Sequence, residues 1–309
     1  MTDTVGGARA AAHERNVPPV LGRVAFADQL SSWQARIERS LAERLPPAES
    51  EPMRLHAAMR YSVLNNGTRA RPLLLFGTAR TVGLGEQHVE AAACALELMH
   101  AYSRVHDDLP AMDDDDLRRG KPTCHRAYDE GTALLVGDAL QSLAFQLLAG
   151  DEALPPPPAV RLRLIELLAE AIGAGGKAGG QSLEAAAKGQ QLSVADIEAM
   201  YARKTGALIR ASVLMAVACA PETEPHLQKA LGGFASSVGL GIQIQEDLMD
   251  SSAGTPGRRK LTYPAAVGHA AAQRRVDLLY AEALEALRPF GPAADPLRAL
   301  AGWLRARSE

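Results

Sequence analysis

The residues best suited to chemistry stand in one short stretch where acidic side chains are followed by basic ones. Two aspartates close an apolar segment, four more follow a proline, and three basic residues come next. They are Asp107, Asp108, residues 113–116, Arg118, Arg119 and Lys121. Carboxylates packed this closely repel one another unless a cation neutralises them. Mg²⁺ takes oxygen ligands and is commonly shared with substrate phosphates, which Arg and Lys also bind. The stretch therefore predicts a metal–diphosphate site, with a solvated charged loop as the alternative.

A second polar group, mostly acidic, lies far along the chain. Its members are spaced i, i+3, i+4 and i+7, so a helix would present them on one face. They are Gln243, Glu246, Asp247 and Asp250. The apolar residues 238–242 before them favour an inward-facing helix. Two acidic faces on distant helices could converge and hold metal ions across a diphosphate, as carboxylates do in the cores of other helical bundles. An ordinary polar helix face is the alternative.

Other candidate patterns are weaker. Residues 173–177 are rich in glycine and end in Lys177, but Ala178 replaces the Ser or Thr of a phosphate loop, and no strand precedes them. His125, like several other histidines, stands alone in the sequence, which is typical of a surface or structural histidine. No spacing of Ser, His and Asp indicates a nucleophile.

Composition bounds the class of protein. The 309 residues carry 33 basic and 36 acidic side chains, a net charge of −3, which argues against the basic footprint that nucleic acids require. Hydrophobic residues make up 47% and aromatic residues 4%, so an aliphatic, helical core is favoured. The three cysteines fit no disulfide framework or zinc motif and indicate a reducing compartment. With no secretory signal and no apolar run of about 18 residues, we expect a cytoplasmic chain without a membrane span or nucleic-acid partner.

The elements that must position these residues are predicted to be helices. Apolar residues recur at steps of three and four from Leu30 to Leu41, and similar patterns follow towards the C-terminus. We expect a kink or turn over the glycine-rich residues 173–180 and one helical stretch from Ser193 towards Cys219. No long segment shows the alternation of a strand. We predict an all-α protein, with a flexible arm over residues 1–22 and a single domain over residues 23–309.

Residues 100–125 resemble the first aspartate-rich region of the trans-isoprenyl diphosphate synthases, in the style of the bacterial farnesyl and geranylgeranyl diphosphate synthases. Further pieces of the family pattern occur in the family's order, and the resemblance spans residues 55–305. These pieces are residues 67–72 (GTRARP), Gly180-Gln181, Lys204-Thr205-Gly206, the second acidic group and residues 260–264 (KLTYP).

The resemblance implies an isoprenoid synthase-type helical bundle around a central cavity, usually in a homodimer. It implies a Mg²⁺-dependent prenyltransferase that ionises dimethylallyl or geranyl diphosphate and condenses it with isopentenyl diphosphate. Three Mg²⁺ ions are expected, with Mn²⁺ as an alternative. Metal ions and fixed positive charge stabilise the leaving diphosphate, and an aliphatic cavity keeps water away from the allylic cation.

By position, the resemblance gives each motif residue an expected role. The expected metal ligands are Asp107, Asp108, Asp113, Glu246, Asp247 and Asp250. The expected catalytic residues are Lys204 and Lys260, which hold the allylic diphosphate together with Arg118, and Thr205 and Gln243, which lie near the developing carbocation. The expected ligands of isopentenyl diphosphate are Arg71, His100 and Arg119.

Product length in this family depends on bulk just before the first acidic region. Tyr102 and Ser103 lie five and four residues before Asp107. An aromatic ring at the first of these positions resembles a floor that stops growth at fifteen carbons, which predicts farnesyl diphosphate. Ordinary helix packing of Tyr102 is the alternative.

The chain also departs from the family pattern. Thr68 stands where a Lys normally grips isopentenyl diphosphate, Glu246 stands where Asp is usual, and the loop over residues 251–260 is short. Losing a charge-assisted phosphate contact typically costs about 1.5–3 kcal/mol. Three alternatives stay open: a synthase with another product length, such as geranylgeranyl diphosphate; a cyclase-like enzyme that ionises an allylic diphosphate alone; and a non-catalytic subunit that regulates an active synthase.

Overall fold

The computed structural model describes residues 23–65, 67–155, 157–187, 189–252 and 262–306, and their regular secondary structure is almost entirely helical. The helices are α1 (Arg23–Arg44), α2 (Met53–Val63), α3 (Ala70–Thr81), α4 (Glu90–Asp107), α5 (Cys124–Ala127), α6 (Glu130–Gly150), α7 (Pro158–Ile172), α8 (Lys177–Ala186), α9 (Val194–Tyr201), α10 (Ala207–Ala218), α11 (Pro225–Ser252), α12 (Tyr263–Val267), α13 (His269–Ala286) and α14 (Asp295–Ala306). Short 3₁₀ segments cover Glu86–His88 and Arg288–Ala294. Within the described ranges the only strands are β1 (Leu117–Arg118) and β2 (Lys121–Pro122), which pair antiparallel. The all-α prediction is confirmed.

The core forms around α4, which packs against α1, α3 and α6. Residues 91–96 of α4 are fully buried, and four of the six are alanine, so neighbouring helices can approach closely. On α1, Trp33, Ile37 and Leu41 recur at steps of four, fall on one face and are buried. Full burial of such a side chain contributes about 1.5–3 kcal/mol to stability. The aliphatic, alanine-rich core expected from the composition is therefore present.

The contact between α4 and α6 fixes the end of α4 that carries the first acidic group. Gly137 on α6 faces the His106 imidazole, and a Cβ at Gly137 would lie 2.0 Å from His106 Nε2. Glycine is thus needed for this close approach. The same nitrogen lies 3.1 Å from the Leu134 carbonyl oxygen and hydrogen-bonds to it. These contacts with α6 anchor His106, the residue immediately before Asp107.

The glycine-rich segment differs from its prediction. It forms a turn only up to Gly176, because α8 begins at Lys177. Gly180 lies inside α8, where a Cβ would come within 2.5 Å of the backbone nitrogen of Lys204. The expected kink over residues 173–180 is therefore wrong in its second half, where glycine brings two segments together instead of breaking a helix.

A π-helical turn interrupts the helical stretch predicted between Ser193 and Cys219. The five residues Ala202–Gly206 separate α9 from α10 and contain Lys204 and Thr205. Turns of this kind occur frequently at functional sites. The apolar periodicity continues on both sides of the turn, so the sequence pattern gives no sign of it.

Helix α6 is strongly apolar although much of it is not buried. It is the one described helix whose length and composition would suffice to cross a membrane, and only a third of its most apolar window is buried. Asp138 interrupts this helix, and α6 packs against α2, α4, α5 and α7. Length and composition alone are weak evidence for a span, because core helices of globular proteins meet the same criteria.

Two predictions fall on residues outside the described ranges. They concern the arm over residues 1–22 and the segment 253–261, which includes Lys260 and most of the loop that is short relative to the family. The division into an arm and a single domain therefore stays a prediction.

Candidate active site

A cavity of about 1570 Å³ opens between the C-terminal ends of α4 and α11. Asp107 of the first acidic group and Asp247 of the second both line it, so the two groups share one hollow. The predicted site residues in its wall are Arg71, His100, Ser103, Asp107, Asp108, Asp113, Arg118, Arg119, Lys204, Thr205, Gln243, Glu246, Asp247 and Asp250. Tyr102 lines a smaller cavity beside it.

The first acidic group forms where α4 ends. Pro110 prevents the helix from continuing, and the chain turns back so that the Asp113 N–H donates to the Asp107 carbonyl oxygen at 2.8 Å. Asp108 is 4% exposed and accepts a bifurcated hydrogen bond from the N–H of Arg118 Nε, at 3.0 Å to Oδ1 and 3.1 Å to Oδ2. Burial raises the pKa of Asp108, although the bond and charge of Arg118 act to lower it. Arg118 thus neutralises the most deeply buried acid of this group.

Asp107 is held by two side chains of α8. Lys177 Nζ lies 2.9 Å from Asp107 Oδ2, and the Gln181 amide donates to the other carboxylate oxygen. Burial lowers the pKa of Lys177, while the charge of Asp107 acts to raise it. The start of α8 therefore places a cation directly on an expected metal ligand.

The second acidic group lies on α11 as the spacing predicts. Glu246 and Asp250 are exposed at the cavity, whereas Asp247 is 7% exposed. Asp247 accepts hydrogen bonds from the Tyr201 hydroxyl and from the Tyr263 N–H at 3.0 Å. Burial raises the pKa of Asp247, and these donors act to lower it. The inward face of α11 is thus bonded to both α9 and α12.

The π-helical turn contributes the next two site residues. The Lys204 ammonium group pairs with Glu184 of α8. Burial alone would lower the pKa of Lys204, but the negative charge of Glu184 raises it. The Thr205 hydroxyl donates to the side-chain oxygen of Gln243, whose amide donates to Asp247 at 3.3 Å. Thr205 and Gln243, which were both expected near the developing carbocation, are therefore in direct contact.

Cations form another part of the cavity wall. Burial lowers the pKa of His100 well below its usual value, and the charges of Arg71 and Arg104 lower it further. The imidazole is therefore neutral at physiological pH. Arg119 lies against Gly67, where an added Cβ would be 2.7 Å from Arg119 Nη1. The three expected ligands of isopentenyl diphosphate thus gather beside the motif that contains Thr68.

The residues expected to set product length adjoin a second cavity of about 190 Å³. Tyr102 lines only this smaller cavity, whereas Ser103 and Lys177 line both. The Tyr102 ring packs edge-on against the His106 imidazole, with ring centroids 5.0 Å apart. The smaller cavity therefore lies where the expectation requires room for a prenyl chain, and the role of Tyr102 as a floor stays a prediction.

Four residues at these two cavities have a place in the site that the sequence analysis did not assign to them. They are Arg104, Lys177, Gln181 and Tyr201. Arg104 carries a usable signal, because it lies one helical turn from both His100 and Asp108 on α4. The other three meet the acidic groups only through tertiary packing, which no local pattern reveals.

His125 is less isolated than its sequence context indicates. It is 6% exposed, and its Nδ1 lies 3.1 Å from the Thr123 hydroxyl oxygen. Asp114, Asp116 and His125 offer ligand atoms within 4.8 Å of one another. The guanidinium group of Arg126 pairs with both aspartates, however, and so already supplies positive charge there.

Known proteins resemble this chain over most of its length. The sequence model of the polyprenyl synthetase family matches residues 52–260. The farnesyl diphosphate synthase of Haemophilus influenzae is 38% identical over 91% of this chain and 98% of its own length. That of Escherichia coli is 35% identical over 92% of this chain and 99% of its own length.

Solved structures share the fold. A crystal structure of a FPP/GFPP synthase from Zymomonas mobilis superposes with a TM-score of 0.84, at 35% identity, and covers 92% of this chain and 99% of that one. Sequence identity and fold thus agree over the whole cavity-forming region. The chain belongs to the polyprenyl synthetase family and is a prenyltransferase.

Proposed function

We propose that this chain is a farnesyl diphosphate synthase, which condenses isopentenyl diphosphate with dimethylallyl or geranyl diphosphate. The observation that carries the proposal is the meeting of Asp107 from α4 and Asp247 from α11 in one cavity that also contains several cations. That combination suits two diphosphates and the metal ions that would bind with them. The relatives named farnesyl diphosphate synthase support the same product.

The donor set around the cavity suits Mg²⁺, because hard divalent cations prefer carboxylate oxygens. We assign Asp107, Asp108 and Asp113 to one side of the metal site and Glu246, Asp247 and Asp250 to the other. Bound Mg²⁺ would supply positive charge that stabilises the departing diphosphate. We further propose that three ions bind and that Mn²⁺ can replace them.

Basic residues then divide the substrates between two subsites. We assign Arg118, Lys204 and Lys260 to the allylic diphosphate, and Arg71, His100 and Arg119 to isopentenyl diphosphate. The Arg118 and Lys204 charges are held by ion pairs before substrate binds, so they stabilise developing negative charge without reorganisation. The Lys204–Glu184 pair supports this, because it fixes the ammonium group at the cavity.

The allylic cation needs a dry environment with suitably placed dipoles. Leu208, Ile209 and Ile242 line the same cavity and exclude water with aliphatic surface. The bonded pair Thr205 and Gln243 offers oxygen dipoles that favour nearby positive charge. No protein nucleophile is required, because the double bond of isopentenyl diphosphate attacks the allylic cation, and the new cation then loses a proton, which the departed diphosphate can accept, to form the double bond of the product.

Activity assays test this proposal directly. Purified protein is incubated with Mg²⁺, isopentenyl diphosphate and each allylic diphosphate in turn, and the products are identified by mass spectrometry. We expect farnesyl diphosphate. A hydrocarbon or alcohol formed from the allylic substrate alone would instead support a cyclase. No product at all, with co-purification of another synthase, would support a regulatory subunit.

A longer product is the second candidate function. The solved relative named as a FPP/GFPP synthase favours this possibility, because its name includes a product other than farnesyl diphosphate. In this chain Ser103 is a small residue at the boundary between the two cavities. The same assay separates the candidates, since a longer product such as geranylgeranyl diphosphate would have one or more further isoprene units.

We also propose a cytoplasmic homodimer. The three cysteines are buried free thiols, as expected for a reducing compartment. Leu134 and Leu135 on α6, and Leu162 on the adjoining α7, are 49%, 57% and 67% exposed. Apolar surface of this kind favours contact with a second copy of the chain.

A further inference from the structure

Arg104 lines the main cavity but belongs to none of the motif positions assigned above. It lies on α4 one turn after His100 and one turn before Asp108, so these side chains share a face of the helix. A long cationic side chain therefore stands between an expected ligand of isopentenyl diphosphate and an expected metal ligand.

Within the part of the chain that the structure describes, the Arg104 side chain makes no hydrogen bond and no ion pair. Nearby arginines differ: Arg69 pairs with two glutamates and Arg118 with two aspartates. Asp108 is the one acid whose charge acts notably on Arg104, and Arg118 already bonds it. Arg104 thus contributes positive charge to the cavity that no acid matches.

Other arginines crowd this side chain. Burial and the positive charges of Arg118, Arg119 and Arg71 together lower the pKa of Arg104 to about 10. A guanidinium group normally keeps its proton to above pH 12. Repulsion among clustered cations costs free energy in the empty protein, and a bound anion removes that cost.

Arg104 shares its cavity with the position where the family pattern has a lysine and this chain has Thr68. Thr68 lines the same cavity, beside Gly67, against which Arg119 lies. A Lys at this position would have contributed to the isopentenyl site. The family pattern has a positive charge at residue 68 that this chain lacks, and this chain has one at residue 104, where the charges of Arg71 and Arg119 act on it.

We propose that Arg104 is an additional diphosphate-binding residue of the isopentenyl subsite and supplies the positive charge that Thr68 lacks. The inference rests on the proposed function. The planar fork of N–H donors on the Arg104 guanidinium group can engage two phosphate oxygens at once, which a lysine cannot do. The unmatched charge and the crowding by Arg71 and Arg119 are then explained by one ligand.

Steady-state kinetics of R104L tests the proposal. We expect the KM for isopentenyl diphosphate to rise about tenfold to a hundredfold, as for the loss of a charge-assisted hydrogen bond. The KM for the allylic substrate should change less than about twofold. R104K, which keeps the charge without the fork, should fall between R104L and wild type. R163L, at an exposed arginine of α7, is the matched control and should leave both constants unchanged.

A charge returned to residue 68 gives a sharper test. The double variant T68K/R104L should regain most of the affinity for isopentenyl diphosphate, because a lysine would again reach the same subsite. Calorimetric titration with isopentenyl diphosphate measures the binding directly. If the double variant binds as poorly as R104L, the two residues do not serve one ligand, and the proposal is overturned.

Thermal unfolding separates binding from folding. R104L should be at least as stable as wild type without ligand, because it removes a repelled cation, and should gain less stability from isopentenyl diphosphate. Lower stability without ligand, or equal rises in both KM values, would make Arg104 structural and overturn the inference. Absence of any elongated product from wild type would instead sink the proposed function.

Discussion

Each buried acid at the cavity is held by a donor from another part of the chain. Asp107 is bonded by two side chains of α8, Asp108 by Arg118, and Asp247 by Tyr201. A buried carboxylate without such partners would be costly. The donors therefore fix the acids in the cavity wall before any ligand binds, which is the preorganisation that ionisation of an allylic diphosphate needs.

Tyr102 offers a residue-scale test of product length. In Y102A the smaller cavity should enlarge, so that the prenyl chain can grow past fifteen carbons. We expect products longer by one or more isoprene units, measured by mass spectrometry after removal of the diphosphate. Y128A, at a tyrosine that packs on Tyr61, should keep the wild-type product. An unchanged chain length in Y102A would show that the ring is ordinary helix packing.

Lys177 should compete with metal ions for Asp107. Its ammonium group lies 2.9 Å from the carboxylate, so a cation that binds this oxygen must displace a partner. We expect K177Q to bind Mn²⁺ about threefold to tenfold more tightly, since an ion pair of this kind is worth about 1 kcal/mol. Electron paramagnetic resonance of free Mn²⁺ measures this, and K229Q on exposed α11 surface is the control. Weaker Mn²⁺ binding by K177Q would mean that Lys177 orients Asp107 for metal.

His100 should make stability depend on pH. Burial and the facing cations Arg71, Arg104, Lys177 and Arg119 lower its pKa in the folded state, whereas the unfolded value is about 6.5. Below pH 6.5 the folded protein therefore binds fewer protons at His100 than the unfolded chain does. The free energy of unfolding is thus highest, as far as His100 determines it, above pH 6.5. The free energy of unfolding then decreases as the pH falls below 6.5, by up to about 1.4 kcal/mol per pH unit.

Urea unfolding of wild type and H100N at pH 7.5, 6.0 and 5.0 checks this expectation. Other groups titrate in the same range, so the informative quantity is the difference between the two proteins, which should shift in favour of H100N as the pH falls. H269N, at an exposed histidine of α13, should parallel wild type. A difference that does not vary with pH would contradict the expectation.

At the scale of elements, the sequence predicts helices better than it predicts their contacts. The step of four from Trp33 to Ile37, and the i, i+3, i+4 spacing on α11, identify faces that are indeed turned inward. The π-helical turn at Ala202–Gly206 cannot be predicted, because the apolar pattern continues through it. The helix break predicted at Gly180 is wrong, because glycine serves close packing as well as helix breaking. The Lys177 contact with Asp107 joins residues 70 positions apart and has no local signature.

One buried arginine ties three helices together through two ion pairs. Arg69, immediately before α3, bonds Glu97 of α4 and Glu38 of α1, each at 2.7 Å. The Arg69 and Glu97 side chains are 2% and 5% exposed, whereas Glu38 is 35% exposed. Removing one partner of a buried pair leaves an uncompensated charge and typically costs 3–5 kcal/mol.

We therefore expect E97A to lower the free energy of unfolding by about 3–5 kcal/mol, and E38A by about 1 kcal/mol or less. Denaturant titrations followed by circular dichroism measure both. The pair of variants is matched, because each removes one carboxylate from the same arginine. Equal losses would show that burial of the Glu97 carboxylate does not govern the energy of this contact.

At the scale of the whole molecule, α6 faces two environments. Its inner side packs on α4 and fixes His106 beside Asp107, while Leu134 and Leu135 remain exposed on the outside. If a second copy of the chain covers those leucines, then the contact that buries them also braces the helix that supports the first acidic group. Association and the geometry of the active site would then be linked through one helix.

The variant L135E tests that link. A carboxylate in an apolar interface between copies would be desolvated, so we expect the dimer to dissociate at micromolar concentration in sedimentation velocity. L278E, at a 58% exposed leucine of α13, introduces the same charge elsewhere and should leave the dimer intact. A wild-type protein that sediments as a monomer would contradict the proposed homodimer. Wild type that floats with lipid vesicles, and L135E that does not, would show that a membrane covers α6. Loss of the dimer together with a higher KM for both substrates would support the idea that the interface braces α6 and that α6 in turn supports α4.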